Sequence, residues 1–256
     1  MDTAQPLSTD TDSTDIDHLT PANAELINDL VTANHILYAQ GVLDAFGHVS
    51  VRHPENPKRY LLCRNMAPGQ VAAEDIIQYD LDSRPLDANG RKVYLERFIH
   101  GEIYKARPDV MAIVHSHSPS VVPFSVVRTA PLRPVCHMAG FLGIGAPIFE
   151  ISDEIGDGSN LLITDPPLGK ALARTLDKKT LVLMRGHGST VVADDLKKVV
   201  YRAVYAEINA KTQLQALQLG QPRYLSEKEA AAATETIETQ VIRAWNLWKQ
   251  RANEVN

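Results

Sequence analysis

Two histidines one residue apart, His115 and His117, follow the apolar run Val110-Met111-Ala112-Ile113-Val114. Continued as a strand to residue 118, this run alternates its side chains, so both imidazoles fall on one face. Neutral imidazole is the commonest protein ligand to metals, and two rings at the exit of a buried strand are a ready start for a site. The same pair is also compatible with two half-exposed histidines. A third histidine, His187, sits between Gly186 and Gly188, in a turn joining the runs Thr180–Met184 and Ser189–Ala193. Flanking glycines permit close backbone approach and let the ring be aimed inward. Given the first pair, His187 is the natural third ligand.

Other polar residues gather around these. His48, Ser50 and Arg52 alternate with Val49 and Val51, so a strand there carries all three on one face. That face is either solvated or a cradle for an anion or carboxylate. Glu96, His100 and Tyr104 recur every four residues and share one side of a helix, wet or functional. Arg64 stands at a strand-to-loop junction, where substrate contacts gather, or is a solvated surface arginine. His137, in the segment 132–138, is expected in a strand or loop over the site.

The elements that must position these groups are legible in outline. Thr20 as N-cap and Pro21 at the first helical position open a helix that Gly41 ends. Short strands are expected at 48–52, 59–63, 76–81, 148–151, 180–184 and 189–193. Asn89-Gly90 reads as a hairpin turn. A helix from Leu95 is closed by Pro108, another begins within 119–124, and Asp165-Pro166-Pro167 presents one running to Leu176. Asp194 or Asp195 caps a long helix to Leu219. Ser226 to Glu229 is a capping box that opens a last helix over 226–250. Residues 1–19, rich in Ser, Thr and Asp, are expected to form a loosely draped tail, and 20–256 a single domain.

Composition excludes several classes. At 256 residues, with 44% hydrophobic and 22% charged residues, the chain is long enough for one sizeable core. A net charge of −5 without a basic cluster argues against nucleic acid. No apolar run is long enough to span a membrane, and the acidic N-terminus lacks a signal core, so no membrane association is expected. Two cysteines, Cys63 and Cys136, outside any paired motif, suit a reducing, cytoplasmic setting.

Gly47-His48-Val49-Ser50-Val51-Arg52, Glu96 with His100 and Tyr104, His115-x-His117 and Gly186-His187-Gly188 occur in the order found in the class II aldolase/adducin family, which residues 22–225 resemble. Glu96 lies nineteen residues before His115, similar to the family's interval between its acid/base glutamate and first metal histidine. The resemblance implies a three-layer α/β/α fold with a largely antiparallel central sheet. It implies one divalent metal per chain (Mn, Zn, Fe or Co) on His115, His117 and His187, with Glu96 as fourth ligand or proton carrier. It also implies a homotetramer or higher homo-oligomer with interfacial sites. Sugar-phosphate members of the family hold phosphate with an Asn, a Thr-Pro-Ser-Gly loop and a Ser-Ser pair; here those places read His48, Ala67-Pro68-Gly69 and Tyr94-Leu95. The departures resemble the decarboxylase branch, which acts on hydroxylated aromatic or pyridine carboxylates and carboxylated muconate semialdehydes. On that reading Glu96, His48 and His137 are catalytic, and Ser50, Arg52, Arg64, His100 and Tyr104 contact a small carboxylated substrate. The alternatives are an aldolase or epimerase of an unphosphorylated hydroxy-carbonyl compound, and an adducin-like binding module without metal.

Overall fold

An alternating segment over 48–52 and two runs rich in β-branched residues over 112–116 and 188–193 build the middle of a seven-stranded sheet in the computed structural model, which describes residues 21–255. The strands are β1 (His48–Arg52), β2 (Arg59–Cys63), β3 (Ile76–Asp80), β4 (Ala112–Ser116), β5 (Ile148–Phe149), β6 (Leu181–Met184) and β7 (Gly188–Ala193). Their order across the sheet is β3-β2-β1-β4-β7-β6-β5. Pairings among the described strands are antiparallel except β5 with β6, so the sheet is mixed, as a largely antiparallel one allows.

Helices cover both faces. They are α1 (Pro21–Ala39), α2 (Phe98–Ala106), α3 (Val122–Val126), α4 (Ser152–Ile155), α5 (Pro166–Leu176), α6 (Leu196–Leu219), α7 (Glu227–Ile237) and α8 (Val241–Val255). On one side α2 packs on α5 and reaches β1 through the polar face of that strand. On the other, α1 and α6 lie on the sheet with α8 against both. The apolar stripe of α1 (Leu30, Ala33, Ile36, Leu37) is fully buried, each such aliphatic side chain contributing about 1.5–3 kcal/mol. Asp165 caps α5 by accepting from Leu168 N–H, and Asp195 caps α6 by accepting from Lys198 N–H.

Five expectations need correction or fall outside the structure. The tail 1–19 and the Thr20 cap lie outside the described residues. Asn89 and Gly90 both take positive φ and close a tight turn, Arg91 N–H donating to Ala88 O, but no strand follows it. The chain has to deliver Glu96 instead, and runs into a 3-10 turn at Leu95–Arg97. The last helix is two helices, broken by a 3-10 turn at Glu238–Gln240, where Glu238 pairs with Arg202 of α6. The histidine strand stops at Ser116, one residue before His117.

Candidate metal centre

Register builds the site. In the β1–β4 ladder His48 stands directly opposite His115, and in the β4–β7 ladder His115 stands opposite Thr190. One row across three strands therefore presents two imidazoles side by side. The chain beyond Ser116 turns away from the ladder and swings His117 over the same point. Two glycines make the crowding feasible. A Cβ on Gly188 would lie 2.2 Å from Ser116 O, and one on Gly47 would lie 2.9 Å from His115 O. Gly47 also takes φ +86°, where other residues are strained.

Four groups converge. His117 Nε2 lies 3.2 Å from His115 Nε2 and 3.0 Å from His187 Nε2. Glu96 Oε2 lies 3.7 Å from His115 Nε2 and 3.5 Å from His187 Nε2. All four ligand atoms fall within 4.8 Å of one another. Burial pushes His115 well below the ordinary histidine value, and burial followed by the nearby His187 lowers His117. His187 Nδ1 carries a hydrogen, because its partner at 2.9 Å, Leu161 O, can only accept. Its Nε2 faces the other two histidines, where a ring in this tautomer presents a bare lone pair. Lone pairs and a carboxylate oxygen aimed at one point fit a divalent cation.

Backbone groups hold this arrangement. Ile163 N–H donates to Glu96 Oε1 at 2.9 Å, which leaves Oε2 facing the histidines. Leu161, two residues earlier, has φ +65°, costing on the order of 1–2 kcal/mol for a side chain with a Cβ. One short loop thus orients both a carboxylate and an imidazole, as supports around metal ligands do. Glu207 of α6 accepts from Ser118 Oγ–H (2.5 Å) and Ser120 N–H (3.0 Å), pinning the turn after His117. Arg185 pairs with Glu150 through Nε (2.6 Å) and a terminal nitrogen (2.8 Å), bracing the turn that carries His187. The Arg185 hydrogen bonds hold Glu150 down at about 2.

A second set of expected residues lies beside the first. His48 packs 5.0 Å from His115 and 4.6 Å from Tyr94, between ring centroids. Its Nδ1 is 2.7 Å from His100 Nε2; His100 Nδ1 is 2.6 Å from Ser50 Oγ; Ser50 Oγ is 2.8 Å from Tyr104 OH. Burial lowers His48 well below its ordinary value, with His100 adding to it, and burial takes His100 down to about 3. Ser50, His100 and Tyr104 are buried and bonded to one another, so they support His48 and do not face the converging groups.

Three expected residues are not brought in. Arg52 is a correction: its guanidinium donates to the carbonyls of Val110, Pro57, Tyr104 and Arg107, and its donors tie strand to helix. Arg64 is ion-paired with Asp75 at 2.6 Å at the surface. His137 is exposed on the 3-10 turn His137–Leu142, which packs against α6 and α7. Sequence reading missed Leu161, Ile163 and Glu207. The first two act through backbone atoms that no side chain advertises, and Glu207 is one acid on a long helix with no motif around it.

Residues 28–214 match the family described as Class II Aldolase and Adducin N-terminal domain. Decarboxylase tropJ of Talaromyces stipitatus is 35% identical over 245 residues, covering 87% of this chain and 92% of its own. A 3,4-dihydroxyphthalate decarboxylase of Arthrobacter keyseri is 27% identical over 206 residues, covering 75% and 78%. Among solved structures, L-fuculose 1-phosphate aldolase from Glaciozyma antarctica superposes with a TM-score of 0.74 at 24% identity, covering 91% of this chain and 90% of that one.

Proposed function

The chain belongs to the class II aldolase and adducin family, and from that premise we propose that it is a divalent-metal-dependent, non-oxidative decarboxylase. Its substrate is a hydroxylated aromatic or heteroaromatic carboxylate or dicarboxylate, or a carboxylated muconate semialdehyde. The observation that carries this reading is the ground beside the histidine cluster. Tyr94 and His48 fill it, and the Tyr94 hydroxyl is turned away, donating to Met66 O at 2.6 Å. The small hydroxyl donors that would suit a phosphate are replaced by two flat rings, which suit a planar, unphosphorylated substrate. Relatives named decarboxylases support the same choice.

A divalent metal (Mn, Zn, Fe or Co) on His115, His117 and His187 would supply a Lewis acid for the charge that departing CO2 leaves behind. The chain's own residues do the rest. Breaking the bond from carbon to the carboxylate leaves an electron pair on carbon. Glu96 Oε2, held toward the histidines by the Ile163 amide, delivers the proton that takes the place of CO2. His48 holds a substrate oxygen. Phe46, 66% exposed and 6.5 Å from the His117 ring, offers an apolar wall to an aromatic ring.

Phe46, Leu95 and Val126 are exposed apolar residues next to His117, Glu96 and the Gly186 turn. Such a rim supports a homo-oligomer, a tetramer or higher, that covers it and places sites at interfaces; light scattering tests this. No described helix is long and apolar enough to cross a membrane. Cys63 and Cys136 are free thiols, consistent with a cytoplasmic setting. The alternative, an aldolase or epimerase of an unphosphorylated hydroxy-carbonyl compound, shares the metal chemistry. Product analysis separates the two. Release of CO2 from a panel of ortho-hydroxy aromatic carboxylates supports the decarboxylase; a cleaved aldehyde without CO2 overturns it.

A further inference from the structure

Tyr104 is 1% exposed, and Ser50 Oγ is the hydrogen-bond partner of its hydroxyl among the described residues. Ser50 has one hydrogen and stands between two groups, Tyr104 OH and His100 Nδ1. If Ser50 donates to Tyr104, the buried phenol hydrogen has no acceptor. If the phenol donates to Ser50, Ser50 donates to His100 Nδ1 and every donor is satisfied. A neutral His100 then carries its proton on Nε2 and donates it to His48 Nδ1. A neutral His48 in turn carries its own proton on Nε2, the nitrogen that the chain does not use. A proton on His48 Nδ1, alone or with one on Nε2, turns His100 Nδ1–H toward Ser50 Oγ and leaves either the phenol hydrogen or the Ser50 hydrogen without an acceptor.

We infer that Tyr104, Ser50 and His100 are positioning residues that fix the tautomer of His48, so that His48 offers a neutral Nε2–H donor to a substrate oxygen at the metal centre. Burial raises Tyr104 above the ordinary tyrosine value, so the phenol keeps its proton and the order of the chain holds. A neutral imidazole that gave this proton to carbon would become an imidazolate. His48 therefore stabilises charge on an oxygen, the task of a preorganised hydrogen-bond donor, and the proton for carbon comes from another group. The identity of the accepting oxygen rests on the decarboxylase reading; the proton order does not.

The test is 15N NMR of zinc-loaded protein labelled at histidine, at pH 7, with His48→Asn used for assignment. The expected spectrum has His48 and His100 neutral and protonated on Nε2. A His48 proton on Nδ1, or on both nitrogens, overturns the inference. Ser50→Ala and Ser50→Thr give a second readout. Ser50→Ala lowers kcat at least about tenfold with metal content unchanged, and Ser50→Thr, which keeps the hydroxyl, recovers most of it. A threonine variant no better than the alanine one overturns the positioning role. Should Ser50→Ala fail to fold, the wild-type spectrum still decides. A spectrum of the expected form with no CO2 released from any substrate upholds the proton order and removes the decarboxylase reading instead.

Discussion

Two groups of buried or half-buried histidines lie a few ångströms apart and differ in what their nitrogens meet. His48 and His100 share a hydrogen bond and pass it on to Ser50 and Tyr104, so the pair is satisfied from within. His115, His117 and His187 point their Nε2 atoms at one another and at Glu96 Oε2, where no ordering of protons satisfies them all. Burial lowers His48 and His100 in the first group and His115 and His117 in the second below the ordinary histidine value. Clustered histidines are thus not one kind of object: converging, unsatisfied lone pairs make a ligand set, whereas an internally satisfied chain makes a rigid support. The two meet where His48 and His115 stand opposite each other on adjacent strands.

Substitutions break the comparison in decreasing order of effect. His115→Ala is expected to lose bound metal and activity together; metal retained at the wild-type stoichiometry contradicts the ligand assignment. Glu96→Gln keeps an oxygen for the Ile163 amide but cannot take up and deliver a proton. A loss in kcat of about 10²–10⁴-fold is expected, read by CO2 release from folded, metal-loaded protein. Arg52→Ala is expected to cost about 2–4 kcal/mol in urea unfolding, because buried carbonyls lose a charged donor, and to leave KM unchanged. A raised KM without loss of stability would return Arg52 to the substrate.

The pH dependence sharpens the same contrast. His100 is held at about 3 by burial, against 6.5 as its ordinary value. Between these values the unfolded chain binds a proton that the folded one refuses, so stability rises with pH through this window. It is fully present above about pH 6.5 and is lost as pH falls toward 3. Glu150, held at about 2 against an ordinary 4.5, acts in a lower window. His100→Asn is expected to flatten the slope of metal-free protein between pH 4.5 and 6.5, measured by urea midpoints. The smallest effect belongs to His137→Ala, exposed on its turn, with a change within about 0.5 kcal/mol in stability and no change in kcat.

The converging cluster was legible in the sequence because its signals are side chains with a pattern: two histidines at strand spacing, one histidine between glycines, one glutamate on a helical run. Strands β1, β2, β4, β6 and β7 were legible for the same reason, since alternation and β-branching mark them. Misreadings came where tertiary partners decide. Arg52 shares the strand face of His48 and Ser50, and only the fold reveals that four carbonyls lie within its reach. The face shared by Glu96 and His100 divides, because Glu96 sits in a 3-10 turn ahead of α2 and meets the three converging histidines, whereas His100 meets Ser50. The Ile163 amide and Leu161 carbonyl carry no residue-type signature at all.

The three converging imidazoles, with Glu96 beside them, are proposed to hold a metal on which decarboxylation depends. The most direct measurement is CO2 release from an ortho-hydroxy aromatic carboxylate by purified protein as isolated, after chelation, and after readdition of a single divalent metal, with metal content determined at each stage. About one metal per chain, with CO2 release lost on chelation and restored on readdition, is the predicted result. CO2 release that persists in fully stripped protein, or a protein that takes up no metal, would contradict it.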